Sequence, residues 1–266
     1  MSDTELGQVV ASAADVYEEF FVPALFGEWG PRLCAVAGVT PRQRVLDVAC
    51  GTGVAAREAA RLTGENGRVT GLDRNQGMLA VARRKAPEIE WQLGQAEALP
   101  FEEASFDTVL SQFGLMFFED RVRALKEMWR VLRPDGRLAV AVWDTVASSP
   151  GYASMLALLR RLFGTPAAEA LQAPFALGEP AELAALFNEA GLGDARIETQ
   201  VGTARFASIE AWVHTDVRGW TLADMIDDAQ YRRLLTAAKR ELAVYADSSG
   251  RVAFPAPAHI VSAVKA

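Results

Sequence analysis

The sequence predicts a doubly wound α/β fold, a Rossmann-like sheet of seven strands with helices on both faces. Short apolar, β-branched runs alternate with segments of helical period between residues 44 and 143, which is typical of a mostly parallel sheet. A pair of glycines, Gly51 and Gly53, joins the first run to the first helix of this series, as in a tight strand-to-helix turn. Two further runs bounded by turn residues, at 195–203 and 252–264, complete the seven strands.

The elements of the first half begin and end at clear signals. Helices are predicted at 14–22, where Pro23 breaks or bends the chain, and at 29–37, where Gly38 ends the helix. Strands are predicted at 44–48, 68–72, 89–93, 106–111 and 137–143, the last after a tight turn at 134–136. A helix covers 55–62, Asn75 caps the helix that runs to residue 85, and Asp120 caps the helix before the turn.

Composition changes after residue 143, where helices and irregular segments alternate. We expect a loop at 148–151, a helix at 153–163 and an irregular stretch at 164–177. Further helices begin at Pro180, after Ser208 and after Asp227 or Asp228, the last of them running to residue 245. The segments 148–193 and 207–248 therefore predict helical cap insertions at the strand tips, where such additions shape a ligand site.

Two acids indicate what the glycine turn binds. Asp47 lies in the first strand just before the glycines, where its carboxylate would repel a pyrophosphate and suit a ligand that carries positive charge. Asp73 ends the second strand, 20 residues after Gly53, at the height of a ribose whose hydroxyls an acid can accept. A ribose on one side and a cationic amino acid moiety on the other describe S-adenosylmethionine.

The same glycines leave a second cofactor open. The pattern Gly51-x-Gly53-x-x-Ala56, with an acid about 20 residues later, also satisfies the dinucleotide fingerprint. An NAD(P)-dependent oxidoreductase is therefore the alternative enzyme, and a non-catalytic S-adenosylmethionine-binding protein is the alternative outside enzymes.

Five motifs in register make residues 44 to 143 resemble the class I S-adenosylmethionine-dependent methyltransferases. The motifs are Val45-Leu46-Asp47-Val48-Ala49-Cys50-Gly51-Thr52-Gly53, Gly71-Leu72-Asp73, Gly94-Gln95-Ala96-Glu97-Ala98-Leu99-Pro100-Phe101, Phe106-Asp107-Thr108-Val109-Leu110 and Leu132-Arg133-Pro134-Asp135-Gly136-Arg137-Leu138. Their style is similar to methyltransferases of ubiquinone and menaquinone biosynthesis. The resemblance implies transfer of a methyl group from S-adenosylmethionine, and a last strand that pairs antiparallel with the sixth.

The resemblance also assigns cofactor-binding residues. At the methionine end it implies Asp47, Ala49, Gly51 and Gly53; at the ribose Asp73; beside the adenosine Arg74 and Met78; in the adenine loop Gln95, Ala96 and Glu97; beside the transferred methyl Ser111 and Gln112. Gln95 departs from the commonest pattern, which has an aspartate there, although its amide oxygen can also accept a hydrogen bond.

The whole chain reads as one domain, 1–266, with a small-molecule substrate. Residues 1–40 are expected to form lid helices and residues 41–147 the cofactor-binding core. The acceptor is expected to be apolar or aromatic because the lid and insertions hold large apolar groups: Tyr17, Phe21, Trp143, Met155, Phe175, Trp212 and Trp220. His214 and Tyr17 are the candidate catalytic residues, and replacing them should affect turnover rather than cofactor binding.

Composition bounds the partners. A net charge of −7 without a basic stripe, and Ser111-Gln112-Phe113-Gly114 where nucleic-acid amine methyltransferases carry Asn-Pro-Pro-aromatic, argue against nucleic acid. The two cysteines, Cys34 and Cys50, fit a reducing compartment, and the cytoplasm is the expected location. No run is apolar enough for a membrane span, no His/Cys cluster predicts a metal, and both a monomer and a homodimer remain open.

Overall fold

The computed structural model describes residues 11–218, 222 and 225–266, and within them the strands form one seven-stranded sheet. The strands are β1 (Arg44–Val48), β2 (Arg68–Asp73), β3 (Glu90–Leu93), β4 (Phe106–Gln112), β5 (Leu132–Trp143), β6 (Arg196–Phe206) and β7 (Val252–Val264). Their order across the sheet is β3-β2-β1-β4-β5-β7-β6. Strand β7 runs antiparallel to both β5 and β6, and the remaining pairs are parallel. The predicted doubly wound sheet with one antiparallel strand is confirmed.

Helices lie between the strands and beyond the fifth strand's tip. They are α1 (Ala11–Val16), which continues as a π-helix (Tyr17–Phe26), α2 (Trp29–Ala37), α3 (Val54–Thr63), α4 (Gln76–Lys85), α5 (Arg121–Val131), α6 (Pro150–Phe163), α7 (Thr165–Gln172), α8 (Pro180–Glu189), α9 (Ile209–Arg218) and α10 (Asp228–Glu241). Asn75, Asp120 and Asp227 cap α4, α5 and α10 through their side-chain oxygens, as predicted.

Proline misled the predicted boundaries in three places. The N-terminal helix passes through Pro23 to Phe26, because the π-helical bonds reach five residues back, as from the Gly27 N–H to the Val22 carbonyl. Helix α6 begins at Pro150 inside the predicted loop, since the first helical turn tolerates a missing N–H. The stretch 164–177, predicted as irregular, contains α7 with Pro166 in its first turn and then a 3₁₀ turn.

The predicted turn at 134–136 is a bulge inside β5 instead of a break before it. The register against β4 shifts between Phe106 and Thr108, and Asp135 has φ +62°. The backbone of Asp135 and Gly136 pairs with Lys265 in both directions. Lys265 therefore holds the three extra residues of β5 in place, and the strand begins at Leu132.

The central strands are buried on both faces, as expected for parallel strands covered by helices. Every residue of β4 except Gln112 is buried, and so are β1 after its first residue and β5 from Leu138 to Trp143. Helices α6, α9 and α10 contact one another, whereas α8 packs against α5. The division into lid, core and two cap insertions stays a prediction.

Candidate functional site

The glycine turn after β1 is built around the buried carboxylate of Asp47. The Ala56 N–H at the start of α3 donates to Asp47 Oδ2 at 2.9 Å, which ties the strand tip to the helix N-terminus. Asp47 is 1% exposed, and its Oδ1 has no hydrogen-bond partner among the described residues. Burial raises the pKa of Asp47 to about 7, although the Ala56 hydrogen bond lowers it. One oxygen is held by the fold and the other awaits a donor.

The two glycines of the turn serve different purposes. A Cβ on Gly51 would meet no atom of the described residues within 4 Å, so this side of the loop is open. A Cβ on Gly53 would overlap the indole ring of Trp91, and so would one on Gly71. The two glycines of the turn, Gly51 and Gly53, have positive φ values of +54° and +88°. Gly51 thus leaves room for a ligand, whereas Gly53 leaves room for the protein's own tryptophan.

Asp73 connects the second strand to the same loop. Its Oδ2 accepts a hydrogen bond from the Gly51 N–H at 2.8 Å, and its Oδ1 accepts one from the Asn75 N–H at 2.8 Å. Burial raises the pKa of Asp73, and these two hydrogen bonds lower it. The Arg74 backbone also donates to this carboxylate. A carboxylate has about four acceptor sites, so Asp73 can hold the loop and still accept from a ligand.

The tip of β4 closes the other side of the turn. A Cβ on Gly114 would lie 2.6 Å from the Ala49 Cβ, so the two backbones meet there without side chains between them. Ala49 and Phe113 both adopt left-handed backbone, with φ +56°. Such strain costs of order 1–3 kcal/mol per residue and is typical of functional sites. The structure therefore brings Ala49 and Ser111 together beside Gly114. The cofactor-binding roles of Ala49, Ser111 and Gln112 stay predictions.

Unsatisfied polar atoms concentrate at these two tips. Four buried side-chain oxygens near the loop have no hydrogen-bond partner among the described residues: Asp47 Oδ1, Thr52 Oγ1, Ser111 Oγ and Gln112 Oε1. An unpaired buried polar atom costs about 1–3 kcal/mol. Their grouping at adjacent strand tips, beside the open face of Gly51, is what a site for a polar ligand looks like.

The residues expected around the adenosine follow the ends of β2 and β3. The Glu97 carboxylate accepts from the Glu119 N–H at 3.0 Å, and the Glu119 carboxylate lies 3.4 Å from an Arg74 guanidinium nitrogen. Ala96 is buried and Gln95 is exposed, in a small turn bridged to Ala98. Met78 packs with Ala14 and Val81. Glu119, which sequence reasoning missed, fastens the predicted adenine loop to the predicted adenosine-flanking arginine.

The π-helix lies over the glycine loop and is fastened by charge. Glu18 forms ion pairs with Arg57 of α3 at 3.1 Å and with Lys85 of α4 at 3.4 Å. Burial, and then the charges of Asp73, Glu18 and Asp47, raise the pKa of the neighbouring Tyr17 above its usual range. The Tyr17 hydroxyl therefore stays protonated near both carboxylates, where it can donate a hydrogen bond but is a poor base.

His214 stands apart from these groups. It is exposed on α9, and its ring meets the edge of Phe20 with centroids 5.9 Å apart. The catalytic role of His214 stays a prediction.

Aromatic rings contact one another in series from Tyr17, near Asp47 and Asp73, to a cavity beyond Trp143. Tyr17 stacks on Phe26 at 5.1 Å, Phe26 meets Phe113 at 5.6 Å, and Phe113 stacks on Trp143 at 3.9 Å. Beyond Trp143 lies a partly open cavity bordered by the π-helix, β5, α6, α7 and α9. Its described lining is Phe21, Leu25, Phe26, Trp143, Tyr152, Ala170, Leu171, Pro174, Phe175, Asp216 and Leu222. Its walls are almost entirely apolar, as in sites for small organic ligands.

Three of the seven apolar groups predicted to line an acceptor site reach this cavity. They are Phe21, Trp143 and Phe175. Met155 and Trp212 are buried in α6 and α9, and Tyr17 lies near Asp47 and Asp73. Trp220 lies outside the described residues, as do residues 1–10.

Sequence reasoning missed Asp216, the one acid among the described residues of the cavity wall. It is 4% exposed, its Oδ1 lies 3.5 Å from the Tyr152 hydroxyl, and its Oδ2 has no hydrogen-bond partner among the described residues. Burial raises the pKa of Asp216 to about 8, although Trp212 and Tyr152 lower it. A signal was present, because Asp216 follows Ile209, Trp212 and Val213 on the apolar face of a helical period.

Two kinds of site find no support in the described part of the chain. It contains no group of three or more His, Cys, Asp or Glu side chains placed to hold a metal ion. No helix in the same residues is both long and apolar enough to cross a bilayer.

Known proteins resemble this chain in sequence and in fold. The methyltransferase domain family matches residues 46–140. A demethylmenaquinone methyltransferase of Bacillus mycoides is 33% identical over 185 residues, which cover 64% of this chain and 78% of that protein. One of Renibacterium salmoninarum is 39% identical over 141 residues, which cover 53% of this chain and 58% of that protein.

A solved structure shows the same architecture over nearly the whole chain. The YcgJ protein of Bacillus subtilis superimposes with a TM-score of 0.59 at 22% identity, covering 90% of this chain and 98% of that one. The sheet order, the glycine turn with its two acids and the relative from Bacillus mycoides agree with one another. The chain belongs to the class I S-adenosylmethionine-dependent methyltransferases.

Proposed function

We propose that this protein transfers a methyl group from S-adenosylmethionine to a small acceptor with an apolar or aromatic body. The observation that carries the proposal is the group of unpartnered buried oxygens around the glycine loop: Asp47 Oδ1, Thr52 Oγ1, Ser111 Oγ and Gln112 Oε1. These atoms fit a ligand with several hydrogen-bond donors and a positive charge. S-adenosylmethionine has both at its methionine end.

The residues that would hold the cofactor follow from what each one has to offer. Asp47 Oδ1 would accept from the ammonium group, and Asp73 would accept from the ribose hydroxyls through its remaining lone pairs. Gly51 would present its bare face. A pyrophosphate at the same place would meet the buried Asp47 charge, which disfavours the dinucleotide alternative.

S-adenosylmethionine, when bound, supplies an electrophilic methyl group on a sulfonium. The protein's own contribution is to orient the acceptor and to exclude water. The aromatic rings of Phe26, Phe113 and Trp143 pack together beside the loop and the cavity, where they would keep water away from the methyl group in transfer. The π-helix, fastened by Glu18, covers both.

The cavity beyond Trp143 supports the class of acceptor. Its described lining is aromatic and aliphatic except for Asp216, which suits a ring system with one polar group. The two relatives are named for demethylmenaquinone, but the matches cover 53% and 64% of this chain. From these relatives we therefore propose only that the acceptor contains a ring. Which substituents the ring carries is argued from the residues that line the cavity.

Charge and cysteine usage support the setting of the reaction. A net charge of −7 favours a small molecule over a nucleic acid. Cys34 and Cys50 are both buried and unpaired, which supports a reducing compartment, the cytoplasm.

A radiolabel assay tests the proposed function. The protein is incubated with S-adenosylmethionine labelled in the methyl group and with a library of ring-containing acceptors, and organic extracts are counted. Label in an extracted product, absent with the Asp47→Ala variant, is the expected result. Binding of S-adenosylhomocysteine without transfer to any acceptor would favour the non-catalytic binding protein.

A further inference from the structure

We propose that the cavity at Asp216 binds the cationic amine of the methyl acceptor, so that the acceptor is an apolar or aromatic molecule that carries one basic nitrogen. The inference rests on the proposed function only in calling the occupant the acceptor. The cavity, the carboxylate and the aromatic walls are features of the fold in their own right.

One carboxylate oxygen of Asp216 has hydrogen-bonding capacity that the described residues do not use. The Trp212 side chain, one turn earlier on α9, lowers the pKa of Asp216 as a hydrogen-bond donor, but neither its Nε1 nor the buried Asp216 Oδ2 forms a well-aligned hydrogen bond among the described residues. The Tyr152 hydroxyl reaches only Oδ1, at 3.5 Å. A bond of that length is weak. A buried carboxylate that faces a cavity with a free oxygen fits a ligand that donates N–H or O–H.

Asp216 differs from the other buried aspartates in having no positive side chain close to it among the described residues. Three of the four buried aspartates among the described residues lie near a positive side chain: Asp47 near Arg57, Asp73 near Arg74 and Asp107 near Arg133. No positive group of the described residues shifts the pKa of Asp216. The positions that follow α9 in the sequence and lie outside the described residues are Gly219, Trp220, Thr221, Ala223 and Asp224, and none of them is Lys, Arg or His. The missing countercharge fits a ligand cation.

The position of Asp216 on its helix is unusual for an acid. Asp216 lies in the last turn of α9, which ends at Arg218. A carboxylate at a helix C-terminus faces the negative end of the helix dipole and is unfavourable there. The helix dipole therefore gives no reason for an acid at this position, and a function in the cavity explains its presence better.

Aromatic side chains form the walls of the cavity around Asp216. Tyr152 and Phe175 meet at 5.6 Å, Phe175 and Trp143 at 6.5 Å, and all three line the cavity with Asp216. Aromatic faces attract organic cations. A neutral hydroxyl would satisfy Oδ2 equally well but would gain nothing from the rings or from the charge. The combination of rings and carboxylate favours an amine.

The test compares matched probes that differ only in charge. Calorimetry measures binding of benzylamine and 2-phenylethylamine, and of the neutral benzyl alcohol and 2-phenylethanol, to the full-length protein without cofactor. We expect each amine to bind at least about tenfold more tightly than its alcohol, in keeping with a desolvated cation on aromatic faces. Equal affinities, or no binding of either amine, would overturn the inference.

Two variants identify the group responsible. Asp216→Asn keeps a hydrogen-bond acceptor and removes the charge, so the amines should lose most of their advantage and the alcohols should bind as before. Glu210→Gln removes a charge from the same helix at the surface, where Glu210 pairs with Lys239, and should change neither. An amine preference that survives in Asp216→Asn would show that the acid is not the anchor.

A proton count gives a readout that needs no variant. Because burial raises the pKa of Asp216 to about 8, an amine cation that binds its ionised form near neutral pH should release a proton, and an alcohol should not. Tyr152, the other titratable group in the described lining, has a pKa raised well above its usual range and stays protonated. Calorimetry in two buffers of different ionisation enthalpy measures the release, and amine binding without it would contradict the inference.

These outcomes are separable from the proposed function. If S-adenosylhomocysteine fails to bind and the amines still bind through Asp216, the proposed function fails and the amine site stands. If S-adenosylhomocysteine binds and the amines show no preference, the amine site fails and methyl transfer to a neutral acceptor remains.

Discussion

The carboxylate of Asp73 accepts a hydrogen bond from the backbone N–H of Gly51 at 2.8 Å and so joins the tip of β2 to the loop after β1. The same carboxylate accepts from the Asn75 N–H at the start of the turn into α4. One side chain therefore orders the two loops between which a ribose would lie. Its contribution to cofactor binding is partly to hold the loop and partly to contact the ligand.

Replacing Asp73 should separate these two contributions. Asp73→Ala removes a charged acceptor, worth about 1.5–3 kcal/mol, so the affinity for S-adenosylhomocysteine should fall about tenfold to a hundredfold. Asp73→Asn keeps one acceptor oxygen and should lose less. Calorimetry measures both, and an unchanged affinity in Asp73→Ala would remove Asp73 from the site.

The two glycines of the turn predict opposite costs for the same substitution. Gly53→Ala adds a methyl group that overlaps Trp91 at a residue with φ +88°. Backbone strain alone costs about 1–3 kcal/mol, so the overlap should lower the free energy of unfolding by more than that. Gly51→Ala meets open space and should cost only the strain of its positive φ.

Urea unfolding of the two variants checks this difference. Trp91→Phe, which shortens the ring against Gly53, should recover part of the stability that Gly53→Ala loses. Equal losses in the two glycine variants would contradict the packing role of Trp91.

The core of the fold could be predicted because its signals are local. The alternation of strands and helices, the side-chain caps at Asn75 and Asp120, and the glycine turn are each encoded within a few residues. The π-helix through Pro23 and the helix at 165–172 could not, because tertiary packing decides whether a chain continues past a proline.

The candidate site was predictable to the same extent. Asp47 and Asp73 stand at fixed distances from the glycines in the sequence, and the structure brings them to one loop. The partners that come from far along the chain, such as Glu119 for Arg74 and Tyr152 for Asp216, depend on the packing of distant elements. Tyr17 was expected on the acceptor side, but the charges that act on it are those of the cofactor side.

Tyr17 and His214 should therefore behave differently when replaced. Tyr17→Phe removes a protonated hydroxyl near Asp73 and Asp47 and should weaken S-adenosylhomocysteine binding by about 0.5–1.5 kcal/mol, or up to about tenfold. His214→Ala, on the exposed face of α9, should leave that affinity unchanged. Calorimetry on both variants tests the pair, and the opposite pattern would contradict the placement of Tyr17.

The ion pairs of Glu18 should hold the π-helix over the loop. Glu18→Gln removes its pairing with Arg57 and Lys85 and should speed hydrogen exchange in residues 17–26, with a stability loss of about 1 kcal/mol or less. Glu19→Gln is the matched control, because Glu19 is exposed. Identical exchange in the two variants would show that the charges do not fasten the helix.

Stability should fall as pH rises from about 5 to about 7, because buried acids bind protons more tightly in the folded state than in the unfolded chain. Burial raises the pKa of Asp216 to about 8 and that of Asp47 to about 7, so the stabilisation is complete below the unfolded pKa and is lost through these values. One such group adds a slope of up to about 1.4 kcal/mol per pH unit.

The variant Asp216→Asn removes one of these groups and should make the slope shallower, whereas Glu210→Gln should not. Urea unfolding at a series of pH values measures the slope for both variants and for the parent protein. A slope that is the same in all three would mean that Asp216 is ionised in the folded protein at neutral pH.

The central claim, that the loop between Asp47 and Asp73 binds S-adenosylmethionine, is tested most directly by calorimetric titration of the protein with S-adenosylhomocysteine, S-adenosylmethionine, NAD and NADP. The account predicts one-to-one binding of the two sulfur compounds that is lost in Asp47→Ala, and no binding of the dinucleotides. Binding of NAD or NADP with no heat from either sulfur compound would contradict it.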